Sequence, residues 1–327
     1  MKNRLYILPL VLMAALSCQR MPLYDLELQP VELVLNLQLD LDLQLDVDLN
    51  LDVAVSSTIE MPEVNKVLFY SVDDDNLQYT EFVDSTGGSI NTPAGHYQML
   101  IYNFGTEYIQ VRGENNIKTI EAFTSDITPS KGNTLRGFSR ADGEEEPQGP
   151  IIYAPDHLLV TYQDITIPEL TDADQSITIQ AAVRTIVNTY AFEVHSVIGA
   201  EYIESCEAFV TNQSRSCFFG TGQISQEPAT ICFPVGVDRQ KGCLYTTFNT
   251  FGKLPGESRS YLHIIIRDTD GQEYRFSADI TDQFVKPDSH IVIDEPVDIP
   301  EPPSHSGGGI APSVDPWDNE NHDVPIG

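Results

Sequence analysis

Basic residues are scarce in this chain. Its 327 residues include 18 Lys and Arg but 49 Asp and Glu, which gives a net charge of −31. A surface this acidic repels nucleic acid and anionic lipid headgroups. We therefore expect no nucleic-acid partner and no membrane contact through a basic patch.

The sequence also lacks the spacings that carry catalysis or metal binding. None of its seven His lies three or four residues from another, and no Cys-x-x-Cys is present. His157, beside Asp156, is the best single candidate for a catalytic group, although a turn leading into a strand explains it more simply. Residues 268–271 (DTDG) fit a hairpin turn better than a calcium loop, because the Gly is misplaced and no Glu closes the loop. We predict no enzyme, no cofactor and no metal site.

Helix-forming patterns are equally scarce. Short runs of alternating apolar and polar residues, separated by Gly, Pro, Asn and Asp, predict an all-β protein with many turns. The length allows two domains, and Pro168 is a plausible border between them. The predicted division is a leader (1–17), a linker (18–30), an N-terminal domain (31–167), a C-terminal domain (168–294) and a tail rich in Pro, Gly and acidic residues (295–327).

The strongest pattern lies in residues 33–55. Every odd position there is apolar, and nearly every even position is Asn, Gln or Asp. A strand with this alternation has a leucine stripe on one face and an acidic face opposite. Since a typical strand has about five or six residues, we expect this run to bend between two sheets or to begin as a stalk. A dipeptide expansion of little functional consequence is the alternative.

The N-terminus reads as the leader of a bacterial lipoprotein. Lys2 and Arg4 precede a mostly apolar run at 5–16, then Ser17 and Cys18. The run is too short to span a bilayer permanently. Acylation of Cys18 after cleavage would place the folded part outside the cytoplasm on a lipid anchor. Ordinary secretion, with Cys18 as a plain thiol, is the alternative.

The remaining cysteines fall into two pairs of identical spacing, Cys206 with Cys217 and Cys232 with Cys243. In an exported chain this pattern suggests disulfides, and ten intervening residues could form a hairpin that brings the sulfurs together. Four cysteines allow three pairings, and reduced cysteines packed on strands remain the alternative.

Several blocks of sequence together resemble a known family. They are residues 93–104 (PAGHYQMLIYNF), 112–116 (RGENN), 121–124 (EAFT), 152–158 (IYAPDHL) and 186–190 (IVNTY). The chain resembles fimbrillin-like lipoproteins of anaerobic Gram-negative bacteria, related to the FimB-type anchors and accessory subunits of type V pili. The likeness covers about residues 64–222, together with the VDPW ending at 314–317.

This resemblance implies two β-sandwich domains of transthyretin-like topology, and an outer-membrane lipoprotein at the cell surface held in lipid through Cys18. It also implies that other fimbrial subunits are partners by strand exchange, in which an extended segment of one subunit completes the sheet of another. The 33–55 run could be the chain's own first strand. The tail from Trp317 through Val324 to Ile326 could be a donor strand.

Polymerising relatives lose their first strand when a trypsin-like protease cuts after an arginine. Between Met21 and Val111 this chain has no Arg, and Lys66 is its only basic residue. The first strand is therefore expected to stay, which suits an anchor or an accessory or tip subunit. A non-polymerising adhesin or ligand-binding lipoprotein is the alternative function.

A further short motif concerns modification. Asp84-Ser85-Thr86 resembles the acceptor motif for O-glycosylation of exported proteins in the same bacteria, which would place the glycan on Ser85. A polar loop is the simpler explanation.

Overall fold

The computed structural model describes residues 28–37, 62–127, 149–170, 176–256, 259–284 and 290–303. These residues form 22 strands and a 3₁₀ turn at Ala200–Tyr202, so the all-β prediction is confirmed. No helix among them is long and apolar enough to cross a membrane.

Ten strands precede residue 186. They are β1 (Leu28–Leu37), β2 (Val64–Ser71), β3 (Leu77–Asp84), β4 (Gly87–Pro93), β5 (Gly95–Phe104), β6 (Ile109–Arg112), β7 (Glu121–Thr124), β8 (Ile151–Tyr153), β9 (Leu159–Ile167) and β10 (Ile177–Thr185).

Twelve strands follow. They are β11 (Asn188–Val194), β12 (Val197–Ile198), β13 (Ile203–Ser214), β14 (Ser216–Phe218), β15 (Gln223–Ile224), β16 (Pro228–Pro234), β17 (Gly236–Asp238), β18 (Cys243–Thr250), β19 (Tyr261–Asp268), β20 (Glu273–Asp279), β21 (His290–Ile293) and β22 (Val297–Asp298).

Seven strands form a closed sheet in the order β1-β10-β9-β5-β2-β3-β4, and β4 pairs back to β1. The β1–β10 pair is parallel, and the other pairs are antiparallel. Alternate residues point inward and fill the interior with aliphatic and aromatic side chains, including Leu33, Phe69, Met99 and Ile101. This interior is the first core of the molecule.

A second apolar layer covers part of the closed sheet from outside. A small sheet, in the order β15-β14-β7-β6, packs its side chains with Leu68, Tyr70 and Leu100, which point outward from β2 and β5. Both of those strands are therefore buried on two faces. That double burial explains why their central residues are almost continuously apolar in sequence.

The third layer is a β-sandwich of two sheets, β20-β19-β13-β16-β8 and β17-β18-β11-β21. Its core includes Tyr190, Phe233, Phe248 and Phe284. The rings of Tyr190 and Phe284 stack with centroids 4.1 Å apart, and those of Phe233 and Phe248 stack at 4.2 Å. Burial of these large apolar rings supplies much of the hydrophobic free energy of this layer.

The sheets do not divide the chain at residue 167, where the predicted N-terminal domain ends. Strand β10 lies beyond that border but completes the closed sheet, whereas β8 lies before it and pairs with β16 in the sandwich. Strand β14 pairs with β7 in the small sheet. The chain therefore passes between the layers several times, and the division into two domains at residue 167 stays a prediction. The transthyretin-like topology stays a prediction.

One local prediction can be compared directly with the structure. The turn at 268–271 joins β19 to β20 as expected, and the Asp268 carboxylate accepts hydrogen bonds from the backbone N–H of Asp270 and Gln272, both at 2.9 Å. Another turn, between β3 and β4, consists of Ser85 and Thr86, since Asp84 pairs with Gly87. Gly87 and Gly88 begin β4.

Candidate functional site

Strand β1 closes the seven-stranded sheet by lying between β4 and β10. It pairs with β4 from Leu28 to Val34 and with β10 from Val31 to Leu37. Pro30, which has no N–H to donate, precedes the stretch that is paired on both sides. Residues 28–37 therefore occupy a slot between the edge of β4 and the edge of β10. Among the described strands, β1 is the one that joins these two edges.

The inward face of β1 is apolar. Val31 and Leu33 are each 1% exposed, and Leu35 is 7% exposed. Burying side chains of this size stabilises the fold by roughly 1.5–3 kcal/mol each. Gln29 lies on the same face, where its Oε1 accepts a hydrogen bond from the backbone N–H of Leu170 at 3.0 Å. The slot thus selects an extended segment with an apolar residue at every second position.

A glycine permits the close approach of β4 to β1. At Gly87 a Cβ atom would lie 2.0 Å from the Leu33 carbonyl oxygen, and φ is +111°, in the region that favours Gly. Any other residue here would push the two backbones apart. Periodicity did not reveal this requirement, because a Gly-Gly pair between two alternating runs is also typical of a turn.

Without β1, the molecule would expose two kinds of surface. The backbone N–H and C=O groups of β4 and β10 that now bond to β1 would be unpaired, and the interior around Leu33 would be open to water. Both defects are repaired by any chain segment that adds as a strand and inserts apolar side chains. Chemically, the site can therefore hold a strand, either its own or one from another chain.

Lys66 is the only basic residue in the sequence between Met21 and Val111. Its side chain is 13% exposed, and its Nζ lies 2.7 Å from Glu114 Oε2. The ammonium group also lies 5.9 Å and 5.7 Å from the ring centroids of Phe82 and Phe104. A trypsin-like enzyme, which must surround an extended basic side chain, has little access to this one.

Ser85, the predicted glycosylation site, lies in the two-residue turn between β3 and β4 and is partly buried. Its carbonyl oxygen accepts a hydrogen bond from Asn65 Nδ2 at 3.5 Å. The carbonyl of the next residue, Thr86, accepts one from the N–H of Leu35 at 3.0 Å. This turn therefore fixes one end of the β1 slot. Glycosylation of Ser85 stays a prediction.

The four remaining cysteines are buried thiols rather than the suggested hairpin disulfides. Cys206 and Cys217 do not flank a hairpin, because β13 is one continuous strand and β14 belongs to the small sheet. Cys232 and Cys243 lie on β16 and β18, which belong to opposite sheets of the sandwich. Burial raises the pKa of Cys206 to about 12 and that of Cys217 to about 11.

His157 is placed in a structural segment. Its backbone carbonyl accepts a hydrogen bond from Asn103 Nδ2 at 2.9 Å, and its Nδ1 lies 3.4 Å from Thr185 Oγ1. The neighbouring Asp156 carboxylate accepts a hydrogen bond from the Tyr108 N–H at 2.6 Å. These contacts hold the loop in place, and they give both His157 and Asp156 a structural role.

One polar cluster was not anticipated from sequence. The buried Glu193 carboxylate lies 3.1 Å from His195 Nε2 and 3.4 Å from His290 Nε2, which links β11 to β21. The alternation along β11 was the available sequence signal for placing Glu193 and His195 on one face. It could not connect them with His290, which begins the distant strand β21. In the described part of the chain, no group of three or more His, Cys, Asp or Glu has the geometry to hold a metal ion.

Four predicted features lie wholly or mostly outside the described residues. These are the leader at 1–17, the lipidation site Cys18, residues 38–55 of the predicted 33–55 strand, and the donor-strand residues Trp317, Val324 and Ile326. All of them stay predictions.

Comparisons with known proteins agree with this architecture. A family model described as "Domain of unknown function (DUF5119)" matches residues 37–234. The chain is 23% identical over 307 residues to the "Putative fimbrium anchoring subunit Fim4B" of Bacteroides ovatus, covering 82% of this chain and 86% of that protein. The fimbrillin-like resemblance is thereby confirmed.

A solved structure shows the same fold. A "putative adhesin" from Bacteroides ovatus superposes with a TM-score of 0.53 at 20% identity, covering 84% of this chain and 93% of that one. The fimbrial anchor protein Mfa2 from Porphyromonas gingivalis gives a TM-score of 0.45 at 13% identity, covering 81% and 90%.

Gly87→Ala should loosen β1, because the added Cβ would collide with the Leu33 carbonyl. Overpacking of this kind costs about 1–3 kcal/mol, so amide exchange within residues 28–37 should accelerate about ten- to a hundredfold. Gly105→Ala is the matched control, since φ is +86° there but nothing lies within 4 Å of the new Cβ. Equal exchange rates in β1 of the two variants would contradict this account of the slot.

Thiol titration distinguishes buried thiols from disulfides. With Cys18→Ser in place, four thiols per chain should react in concentrated guanidinium chloride without reductant. In the native protein at mildly alkaline pH they should react far more slowly, because burial raises the pKa values of Cys206 and Cys217 and keeps them protonated. A denatured chain with no reactive thiol before reduction would instead show that the disulfides form.

Proposed function

The chain belongs to the DUF5119 family, and we propose that it is a lipid-anchored subunit of a fimbria-like assembly at the outer membrane. In this proposal it is an anchor or an accessory or tip subunit that keeps its own first strand and joins neighbours by strand complementation. The observation that carries the proposal is the seating of β1 as a separate closing strand between β4 and β10.

The first argument is geometric. Because β1 is attached at both edges and fills the interior with Val31, Leu33 and Leu35, the strand-accepting slot of this subunit is occupied by its own chain. A subunit with a filled slot cannot accept a donor strand there. It can still lend a strand, and the tail ending in Trp317, Val324 and Ile326 has the apolar residues that a donor needs.

The second argument concerns processing. Opening the slot by a trypsin-like cut needs a basic residue in an accessible segment between the leader and β2. Arg20 is the last basic residue before Lys66, and Lys66 is engaged by Glu114 within β2. Such a cut therefore finds no site between Arg20 and the start of β2. This is the condition expected of a subunit at one end of an assembly rather than within its shaft.

The relatives support the same conclusion at a coarser level. The matched Bacteroides ovatus protein carries the name of a fimbrium anchoring subunit, and the superposed structure is that of an adhesin. We extend the anchoring function to this chain on the strength of the filled slot and the leader that ends at Cys18.

The mature N-terminus tests whether the anchor and β1 are kept. Protein recovered from the surface of the cells that make it should begin at Cys18 and should incorporate a fatty-acid probe. Cys18→Ser should abolish the labelling and release the chain from the membrane, while its thermal unfolding stays unchanged. A mature start beyond residue 37 would refute the proposal, because β1 would then have been removed.

The tail tests strand donation. Replacing Trp317, Val324 and Ile326 with Ser should remove the chain from high-molecular-mass assemblies sheared off the cells. The same tail should show amide-exchange protection in wild-type assemblies and none in the purified chain.

A matched control keeps the apolar positions and alters polar ones between them, through the substitutions Asn319→Ser, Asn321→Ser and Asp323→Ser. These should leave assembly intact, because they keep every apolar side chain of the segment that a donor strand would insert. Loss of assembly in both variants to the same degree would count against strand donation by this segment.

A further inference from the structure

A cleft of about 560 Å³ opens where the chain passes from the closed sheet into the sandwich. Its walls come from the end of β10, the start of β11, the β14–β15 hairpin and the segment after β18. Ligand sites typically have volumes of about 300–1,000 Å³ and lie at junctions between layers or domains. The cleft is thus of the size and placement of a small-molecule site.

The charge of the cleft is opposite to that of the molecule. Although the chain has 49 acidic and 18 basic residues, the described residues that line the cleft include Arg184 and Lys253 and not one Asp or Glu. Two bases gathered without an acid are a marked departure from the rest of this chain.

Neither base has a carboxylate partner within the described residues, whereas most other described bases do. Lys66, Arg112, Lys118, Arg215, Arg259, Arg267 and Arg275 all make ion pairs with Asp or Glu. Arg184 is exposed and Lys253 is half-buried. Among the described residues, no carboxylate therefore compensates the charge of the two cations that face this cleft.

The floor of the cleft is rigid and apolar. Phe251 and Phe284 are each 2% exposed, and Tyr190 is 3% exposed and stacks on Phe284 at 4.1 Å. Ile186 and Ile224 are half-buried beside them. A ligand would thus meet an apolar surface that does not need to reorganise.

A neutral polar group completes the lining. The side-chain amide of Asn188 lies near Gly252, where a Cβ atom would be 3.6 Å from Asn188 Nδ2. An amide both donates and accepts hydrogen bonds, so it suits a hydroxyl group. The lining therefore offers cations, an amide and an apolar wall in one place.

We infer that this cleft binds a small carboxylate-bearing sugar. The planar guanidinium of Arg184 matches a carboxylate with two parallel hydrogen bonds, and Lys253 adds a second positive charge. Asn188 suits the sugar hydroxyls, and the half-buried isoleucines suit the apolar face of the ring. A polyanion fits less well, because its charges outside the cleft would be repelled by the acidic residues that give the chain a net charge of −31. A single carboxylate inside the cleft is screened from those acidic residues.

Titration calorimetry on the full chain tests the inference, with glucuronate and N-acetylneuraminate as probes and glucose and N-acetylglucosamine as neutral counterparts. The acidic sugars should bind and the neutral ones should not. Arg184→Gln and Lys253→Gln should each weaken binding by about tenfold or more, since a hydrogen bond to a charged group is worth about 1.5–3 kcal/mol. Thermal unfolding should be unchanged in both variants, because neither side chain is in a core.

The matched control is Arg267→Gln, which removes an exposed base on β19 that pairs with Glu273, outside the cleft. It should leave binding unchanged. Equal binding of neutral sugars, or an equal loss in the Arg267 variant, would overturn the inference. So would tighter binding of inorganic phosphate, or of a peptide of residues 313–327, which would assign the cleft to phosphate or to the acidic tail of another copy. Binding of the tail peptide would also bear on strand donation by the tail, whereas the sugar, phosphate and Arg267 outcomes leave the Cys18 and tail experiments untouched.

Discussion

The seven-stranded sheet is closed only through β1. Strands β4 and β10 do not pair with each other, so the backbone bonds from residues 28–37 to both of them are what turn an open sheet into a closed one. The interior side chains of β2, β5 and β9 are shielded by that closure. The small sheet packs on the outer face of the same strands, so the second layer also rests on a surface that β1 holds in shape.

This arrangement links the fold to assembly. A strand that supplies both edge pairing and core filling is a part that can be retained, removed or replaced without altering the order of the other strands. In this chain the environment of Lys66 and the absence of Arg between Met21 and Val111 favour retention. In the proposed assembly, the placement of basic residues would decide whether a subunit with such a slot can be opened by a trypsin-like cut. In this proposal, the scarcity of basic residues in the sequence therefore keeps β1 in its slot, because it leaves no site for a trypsin-like cut between Arg20 and β2.

Local patterns predicted the elements better than their partners. Alternation predicted the part of β1 from Leu33 to Leu37, because side-chain direction along a strand is a local property. The pairing of β1 with β10 was not predictable, since parallel partners far apart in sequence leave no common motif. The equal spacing of the cysteines fitted a hairpin, but only the continuation of β13 through Ser214 shows that Cys206 and Cys217 belong to different layers. The cleft likewise joins Arg184 and Lys253 from separate segments.

The parallel pair of β1 and β10 also constrains the order of folding. Val31 and its partner Ile177 are separated in the chain by most of the other strands of the closed sheet. Contacts between such distant positions form slowly, because a long loop must close before they are rewarded. The pairing of β1 with β10 is therefore expected late in folding, and until it forms the edge of β10 has no strand beside it.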